Sequence, residues 1–265
     1  MSPSELVLQA RAAGLSHFSI TDHDTIAGLE PGAAAARAAG VTLIPGIEIS
    51  AVADGRDVHV LGYFFDPDAP CLRAFLAQQR QERLRRVREM GARLAELGAP
   101  IDIAPILADA DCGKSVGRPQ VATALQSAGH VATRDEAFRR FLESGAPAFI
   151  PRCGATPADV IGIIHDAGGI ASLAHPGLTK RDDLIPAFVA AGLDALEVRH
   201  SDHDVITEAK YRAMARELGV LVSGGSDFHG DTGYRIQKLG IVTLDSEDYD
   251  RLREKAERHK DTRTI

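Results

Sequence analysis

Tryptophan is absent from this chain of 265 residues, and cysteine is sparse. Cys71, Cys112 and Cys153 form no CxxC pair, so the sequence carries neither a zinc knuckle nor a disulfide framework. Positive charge is in deficit. Thirty Lys and Arg face 37 Asp and Glu, for a formal net charge of -7, which argues against a protein that grips long duplex DNA through many phosphate contacts. Small or short anionic substrates remain open. No apolar run approaches the ~20 residues of a membrane span, and Met1-Ser2-Pro3-Ser4-Glu5 offers no basic segment followed by an apolar one. The expected location is the cytoplasm, with no membrane partner. With 45% hydrophobic and 25% charged residues, the composition is that of a soluble folded protein, long enough for one large core or a barrel carrying an insertion.

Ser2 or Ser4, followed by Glu5, starts a helix that runs to Ala13 and stops at Gly14. Short apolar runs then follow at 17–20, 41–44, 47–52, 58–65, 169–174, 195–198, 220–223 and 239–244, and these are the expected strands. Segments with helical patterning separate several of them, at 33–39, 157–167 and 207–218. That alternation predicts βα units round a parallel sheet or barrel. From Cys71 to about Thr156 the β signal fades, and 78–97 carries Leu84, Val87, Leu94 and Leu97 at helical spacing. The expected organisation is a discontinuous barrel over 1–70 and 157–265, with a helical insertion or cap over 71–156.

Polar residues able to hold metal ions repeatedly close an apolar run: Asp22-His23-Asp24, His175-Pro176-Gly177 and Asp227-Phe228-His229. Strand C-termini are where active sites form in β/α barrels. Glu48 and His59 lie inside apolar runs instead, where a titratable group needs a partner. Imidazoles mixed with carboxylates suit first-row divalent metals. A lone histidine in such a run is more often a hydrogen-bonded core residue; the joint occurrence of all five elements points to a metal centre. His17, His130, His165 and His259 lack that setting and are read as packing or surface residues. The arginines at 80, 83, 85, 86 and 88 are read as a solvated helix face.

The segments Ile20-Thr21-Asp22-His23-Asp24-Thr25, Pro45-Gly46-Ile47-Glu48-Ile49-Ser50, His59-Val60-Leu61-Gly62-Tyr63, Ala174-His175-Pro176-Gly177 and Gly225-Ser226-Asp227-Phe228-His229-Gly230 resemble, in order, the motifs of the PHP (polymerase and histidinol phosphatase) family. The resemblance spans nearly the whole chain. Val116-Gly117-Arg118-Pro119 resembles the branch of 3′,5′-nucleoside bisphosphate phosphatases and 5′-to-3′ exoribonucleases, although Gln120 stands where that branch commonly has histidine. The family implies an α/β fold, a distorted seven-stranded TIM-like barrel with two or three metal ions, commonly Mn2+, with Zn2+ or Fe2+ as alternatives. Carried over by position, the implied ligands are His23, Glu48 as bridge, His59, His175, Asp227 and His229. Asp22 and Asp24 would position them, His200 would contact phosphate or donate a proton, and Arg118 would contact substrate phosphate. The implied reaction is phosphate-ester hydrolysis on a nucleotide or short single-stranded RNA by a metal-activated hydroxide.

Two departures keep other readings open. PHP proteins begin with a strand ending in Asp-Leu-His-x-His, then Ser-Asp-Gly, and neither motif is in this sequence. The first barrel strand is therefore expected to be missing, through a start placed too far downstream or through real loss. Histidinol-phosphate phosphatase is the alternative enzyme on the same barrel, and a catalytically impaired binding or regulatory protein is the alternative of another class. Oligomeric state is not legible.

Overall fold

A computed structural model describes residues 1–230 and 239–261. The chain divides into two compact units, one of Met1–Arg73 with Ala155–Ile265, the other of Ala74–Gly154.

The first unit opens on α1 (Pro3–Ala12), capped as its sequence predicts: the Ser2 hydroxyl accepts the Glu5 N–H, and the Glu5 carboxylate accepts the Ser2 N–H. Strand β1 (His17–Ile20) and α2 (Leu29–Ala39) lead to β2 (Thr42–Ala53), a single strand covering two expected ones. Val7 of α1 packs with Ala36 and Ala39 of α2 against Phe18 and Leu43. Strand β3 (Arg56–Tyr63) follows, and α3 (Pro70–Glu96) leads into the second unit.

That second unit is helical, with α4 (Ala104–Asp111), α5 (Arg118–Ser127) and α6 (Arg134–Ala137) after α3. Leu84, Val87, Met90 and Leu94 bury one face of α3 in its core, whereas Leu97 falls beyond the helix end and is 45% exposed. The arginines are a solvated face only in part: Arg88 is exposed, but the others are engaged. Arg86 is buried and donates from Nε and Nη2 to the Ile150 carbonyl, Arg83 donates to the Val116 carbonyl, and Arg80 and Arg85 pair with Asp111, Glu82 and Glu89. Gln120 folds back to accept the Gly117 N–H at the start of α5.

The first unit resumes with α7 (Pro157–Asp166), β4 (Ile170–Leu173), α8 (Pro176–Thr179), α9 (Ile185–Ala190), β5 (Ala195–His200), α10 (Val205–Leu218), β6 (Leu221–Gly225) and α11 (Ser246–Asp261). No strand forms over the described residues 239–244. Gly240 there takes a left-handed φ of 83°, which breaks an extended run.

Among the described residues, six strands form one mixed sheet in sequence order. β1–β2, β4–β5 and β5–β6 are parallel; β3 runs against both β2 and β4. The expected all-parallel arrangement fails at β3 because only Asp54 and Gly55 separate Ala53 from its partner Arg56. Their φ values of 48° and 73° make a tight hairpin turn, too short for a crossover. Val58, Val60, Ile170, Leu173, Ala195, Leu196 and Val198 are all buried, and those strands accordingly read as continuous apolar runs.

Candidate metal centre

Parallel β1, β4, β5 and β6 point their C-terminal ends the same way, and β2 with antiparallel β3 brings its middle to that level. The backbone shows this directly. His23, just past β1, bridges Glu48 in mid-β2, with the Asp24 N–H donating to the Glu48 carbonyl, and the Ala174 N–H past β4 donates to the His59 carbonyl in mid-β3. Glu48 and His59 thus sit inside strands yet join residues that close others.

Glu48 is 4% exposed and lies at the centre. Its Oε1 is 2.6 Å from His59 Nδ1 and 3.1 Å from His175 Nε2, and its Oε2 is 3.7 Å from His23 Nδ1. Burial opposes the charge, but the His23 imidazole and the hydrogen bonds from His175 and His59 hold this carboxyl well below the usual range. Burial likewise opposes protonation of His175, yet Glu48, with Glu197 and Asp227 beyond it, raises that imidazole to about 8.

From Glu48 the imidazoles continue as an arc. Successive ring centroids from His229 through His23, His59, His175 and His200 to His203 lie 6.1, 5.0, 5.2, 5.6 and 5.2 Å apart. Asp227 closes it, with Oδ2 3.6 Å from His200 Nε2 and Oδ1 3.5 Å from His229 Nδ1. The six residues singled out as ligands therefore lie together. Asp22 is near His229; its burial raises its pKa and His229 opposes the rise. Asp24, buried at a φ of 52°, uses Oδ1 to accept the Ser50 N–H at 2.8 Å, a clasp between the β1 turn and β2. Arg118 belongs to the helical unit, where its guanidinium lies over the Phe149 ring, 5.7 Å from the centroid.

Two further residues build the site. Glu197, in mid-β5, accepts the His175 N–H at 2.7 Å and so braces that residue in its left-handed conformation, φ 30° and ψ 58°. Burial pushes its carboxyl up to about 7, against the pull of His200 and His175. His203 spans the loop behind: its Nδ1–H donates to the Val198 carbonyl at 2.8 Å, and its Nε2 accepts the Gly177 N–H at 3.2 Å. Both bonds need the neutral ring, and burial lowers its pKa accordingly. A carboxylate inside an apolar run flags Glu197 as it flags Glu48, whereas His203 carries no such signal.

The donor set fits divalent cations. A buried carboxylate meets three imidazole nitrogens within 3.7 Å, two of those nitrogens lie 3.3 Å apart, and His23, Glu48 and His59 each offer one ligand atom within 4.8 Å of the others. Nitrogen atoms crowded so closely on one carboxylate need shared protons or a metal between them, and a mixed imidazole and carboxylate set favours first-row ions.

His165 and His259, read above as packing or surface residues, meet each other and Asp194 elsewhere in this unit. Tests of family models return no match. Individual proteins do match. A 5′-3′ exoribonuclease of Haemophilus influenzae is 36% identical over 241 residues, 88% of this chain and 86% of the relative. A 3′,5′-nucleoside bisphosphate phosphatase of Chromobacterium violaceum is 34% identical over 234 residues, 86% of this chain and 82% of the relative. A crystal structure from Bifidobacterium adolescentis, described as a metal-dependent phosphoesterase, superposes with a TM-score of 0.85 at 34% identity, over 95% of this chain and 90% of that one. Likeness of that extent, on a site of imidazoles gathered round a buried carboxylate, places this chain in the PHP family of metal-dependent phosphoesterases.

Proposed function

We propose that the protein is a Mn2+-dependent phosphoesterase of the cytoplasm that removes phosphate from 3′,5′-nucleoside bisphosphates or acts on the 5′ ends of short single-stranded RNA. The observation that carries this reading is the arc of imidazoles closed by Asp227 round buried Glu48. The activities named for the two curated relatives supply the substrate class. In this reading the mixed sheet is the greater part of a distorted β/α barrel, and 71–156 is a helical insertion in its sequence. His23, Glu48, His59, His175, Asp227 and His229 would hold the ions, and Glu48 would be the carboxylate they share. When bound, divalent ions supply Lewis acidity and an activated water.

The chain's own groups do the rest. Glu197 and His203 fix His175 from behind, an arrangement that orients a ligand and sets its tautomer. Asp22 and Asp24 position the β1 turn, Asp24 through Ser50. His200 Nδ1 accepts the Asp202 N–H at 3.1 Å, which leaves the proton of the neutral ring on Nε2, the atom we assign to donating a hydrogen bond to a phosphoryl oxygen of the substrate.

Phosphate release from adenosine 3′,5′-bisphosphate and mononucleotide release from a 5′-phosphorylated oligoribonucleotide, each with Mn2+, test the proposal. Wild type should act on at least one, and Glu48→Gln and Asp227→Ala on neither. Full activity in either variant would overturn the assigned site, and release from histidinol phosphate alone would overturn the nucleotide assignment.

A further inference from the structure

At the other end of β5 from His200, a second group of potential ligands meets: His165 in the last turn of α7, Asp194 just before β5, and His259 in the last turn of α11. Their ligand atoms all lie within 4.8 Å of one another. Asp194 is only 6% exposed. Its Oδ2 lies 2.7 Å from His165 Nε2 and accepts the Ala171 N–H at 2.9 Å, while its Oδ1 faces His259 Nε2 at 3.6 Å. The two imidazole planes are perpendicular, with centroids 4.9 Å apart.

The tautomer of His259 is the informative detail. Its Nδ1 lies 3.2 Å from the Gly169 carbonyl, a contact that only an Nδ1–H can make favourable. In the neutral ring that choice leaves a bare lone pair on Nε2, aimed at a carboxylate. A lone pair facing a buried anion calls for a cation between them, and a ring N–H on a backbone carbonyl is the usual support of a metal-binding histidine. Among the described residues, Lys255 brings its Nζ to 3.5 Å from Asp194 Oδ1. Its side chain is partly exposed and can withdraw into solvent.

We propose that His165, Asp194 and His259 form a zinc site separate from the imidazole arc, holding the ion through both Nε2 atoms and the Asp194 carboxylate. Zinc is favoured by the two imidazoles and single carboxylate, a set that completes a tetrahedron with one water. Both rings are partly exposed, so the fourth position is open to solvent. Metal–ligand distances of about 2.0–2.1 Å set tetrahedral ligand atoms roughly 3.3 Å apart, so the 2.7 Å contact of Asp194 with His165 must open and the 3.6 Å contact with His259 must close slightly. The ion would fasten the end of α11 to α7 and to the start of β5, a structural role with no part in the hydrolytic site.

The test compares wild type with His259→Gln and His165→Gln after chelator treatment and dialysis against limiting zinc. Zinc per chain is counted, and amide hydrogen exchange across 246–261 is followed with and without zinc. Ions in the imidazole arc are common to all three proteins and cancel. Wild type should hold one zinc more per chain than either variant, and zinc should slow exchange in α11 of wild type alone. Equal zinc content in the three proteins, or α11 protection that ignores zinc, overturns the proposal. Phosphate release with Mn2+ in each variant confirms that the fold and the first site are intact.

Discussion

Replacing Gly177 by alanine tests whether His203 wedges the turn that carries His175. A Cβ at Gly177 would lie 2.7 Å from His203 Nε2, 2.8 Å from its Cδ2 and 3.2 Å from Thr207 Cγ2. Distances under 3.0 Å do not persist, so something must move. His203 resists, since it is 8% exposed and tied to the Val198 carbonyl. Overpacking of this kind costs about 1–3 kcal/mol, and the strained Gly177 N–H bond to His203 adds about 1 kcal/mol. Alanine's helix preference within α8 returns up to about 1 kcal/mol. The net cost is about 2 kcal/mol, a fall in Tm of roughly 4–8 °C for a chain of this size. His203→Ala removes the obstruction but strands the Val198 carbonyl and the Gly177 N–H, at about 2–3 kcal/mol. With the imidazole gone, the 3.2 Å approach to Thr207 Cγ2 remains, and a shift of a few tenths of an ångström relieves it. The double variant should therefore be no less stable than His203→Ala alone, about 2 kcal/mol better than the sum. Urea unfolding of the four metal-free proteins closes the cycle. Additivity within about 0.5 kcal/mol would falsify the wedge, as would wild-type stability in Gly177→Ala.

Glu197→Gln should remove a pH dependence. A carboxyl raised to about 7 in the folded chain stays protonated there while its unfolded counterpart ionises near 4.5, so the metal-free protein loses stability as pH climbs from about 4.5 to 7. The shift corresponds to roughly 3 kcal/mol; urea midpoints of the two proteins at pH 5 and pH 8 should diverge accordingly, the variant being favoured at pH 8. A parallel response of both proteins defeats that account. Arg86→Met should destabilise the helical unit by about 3 kcal/mol, because a buried guanidinium donating twice to the Ile150 carbonyl is replaced by a group that cannot donate. Thermal melting with unchanged Tm would show that Arg86 carries no such load.

Much of the imidazole and carboxylate cluster is legible because its residues follow or interrupt apolar runs. His23, His175 and Asp227 each stand where such a run ends, and Glu48 and His59 are conspicuous inside one. The antiparallel course of β3 was missed although Asp54-Gly55, a strong hairpin signal, is plain in the chain. Glu197 is masked in the sequence by His200 at the end of the same run, and His203 by the turn that it follows. Its role depends on which carbonyl and which N–H the fold brings within reach, and no local pattern encodes that. The same holds for Arg86: helical spacing places it on α3, but burial is decided by the distant Ile150. Residues 239–244 have strand-like composition, and the left-handed Gly240 interrupts them.

The β2–β3 hairpin sets an asymmetry in what the chain can tolerate. Glu48 faces Leu61 across a ladder that runs unbroken from Gly46 to Ala53, and the His23 bridge holds its other side. Lengthening the loop that follows His23, or the one after His200, would leave that carboxylate in place, so loops can vary in length and recognise different leaving groups. Adding one residue between Gly46 and Glu48 would instead turn the carboxylate to the opposite face of the sheet, since side chains alternate along a strand. The hairpin therefore works as a fixed datum: variation accumulates round the mouth of the site while its central charge stays where the ladder puts it.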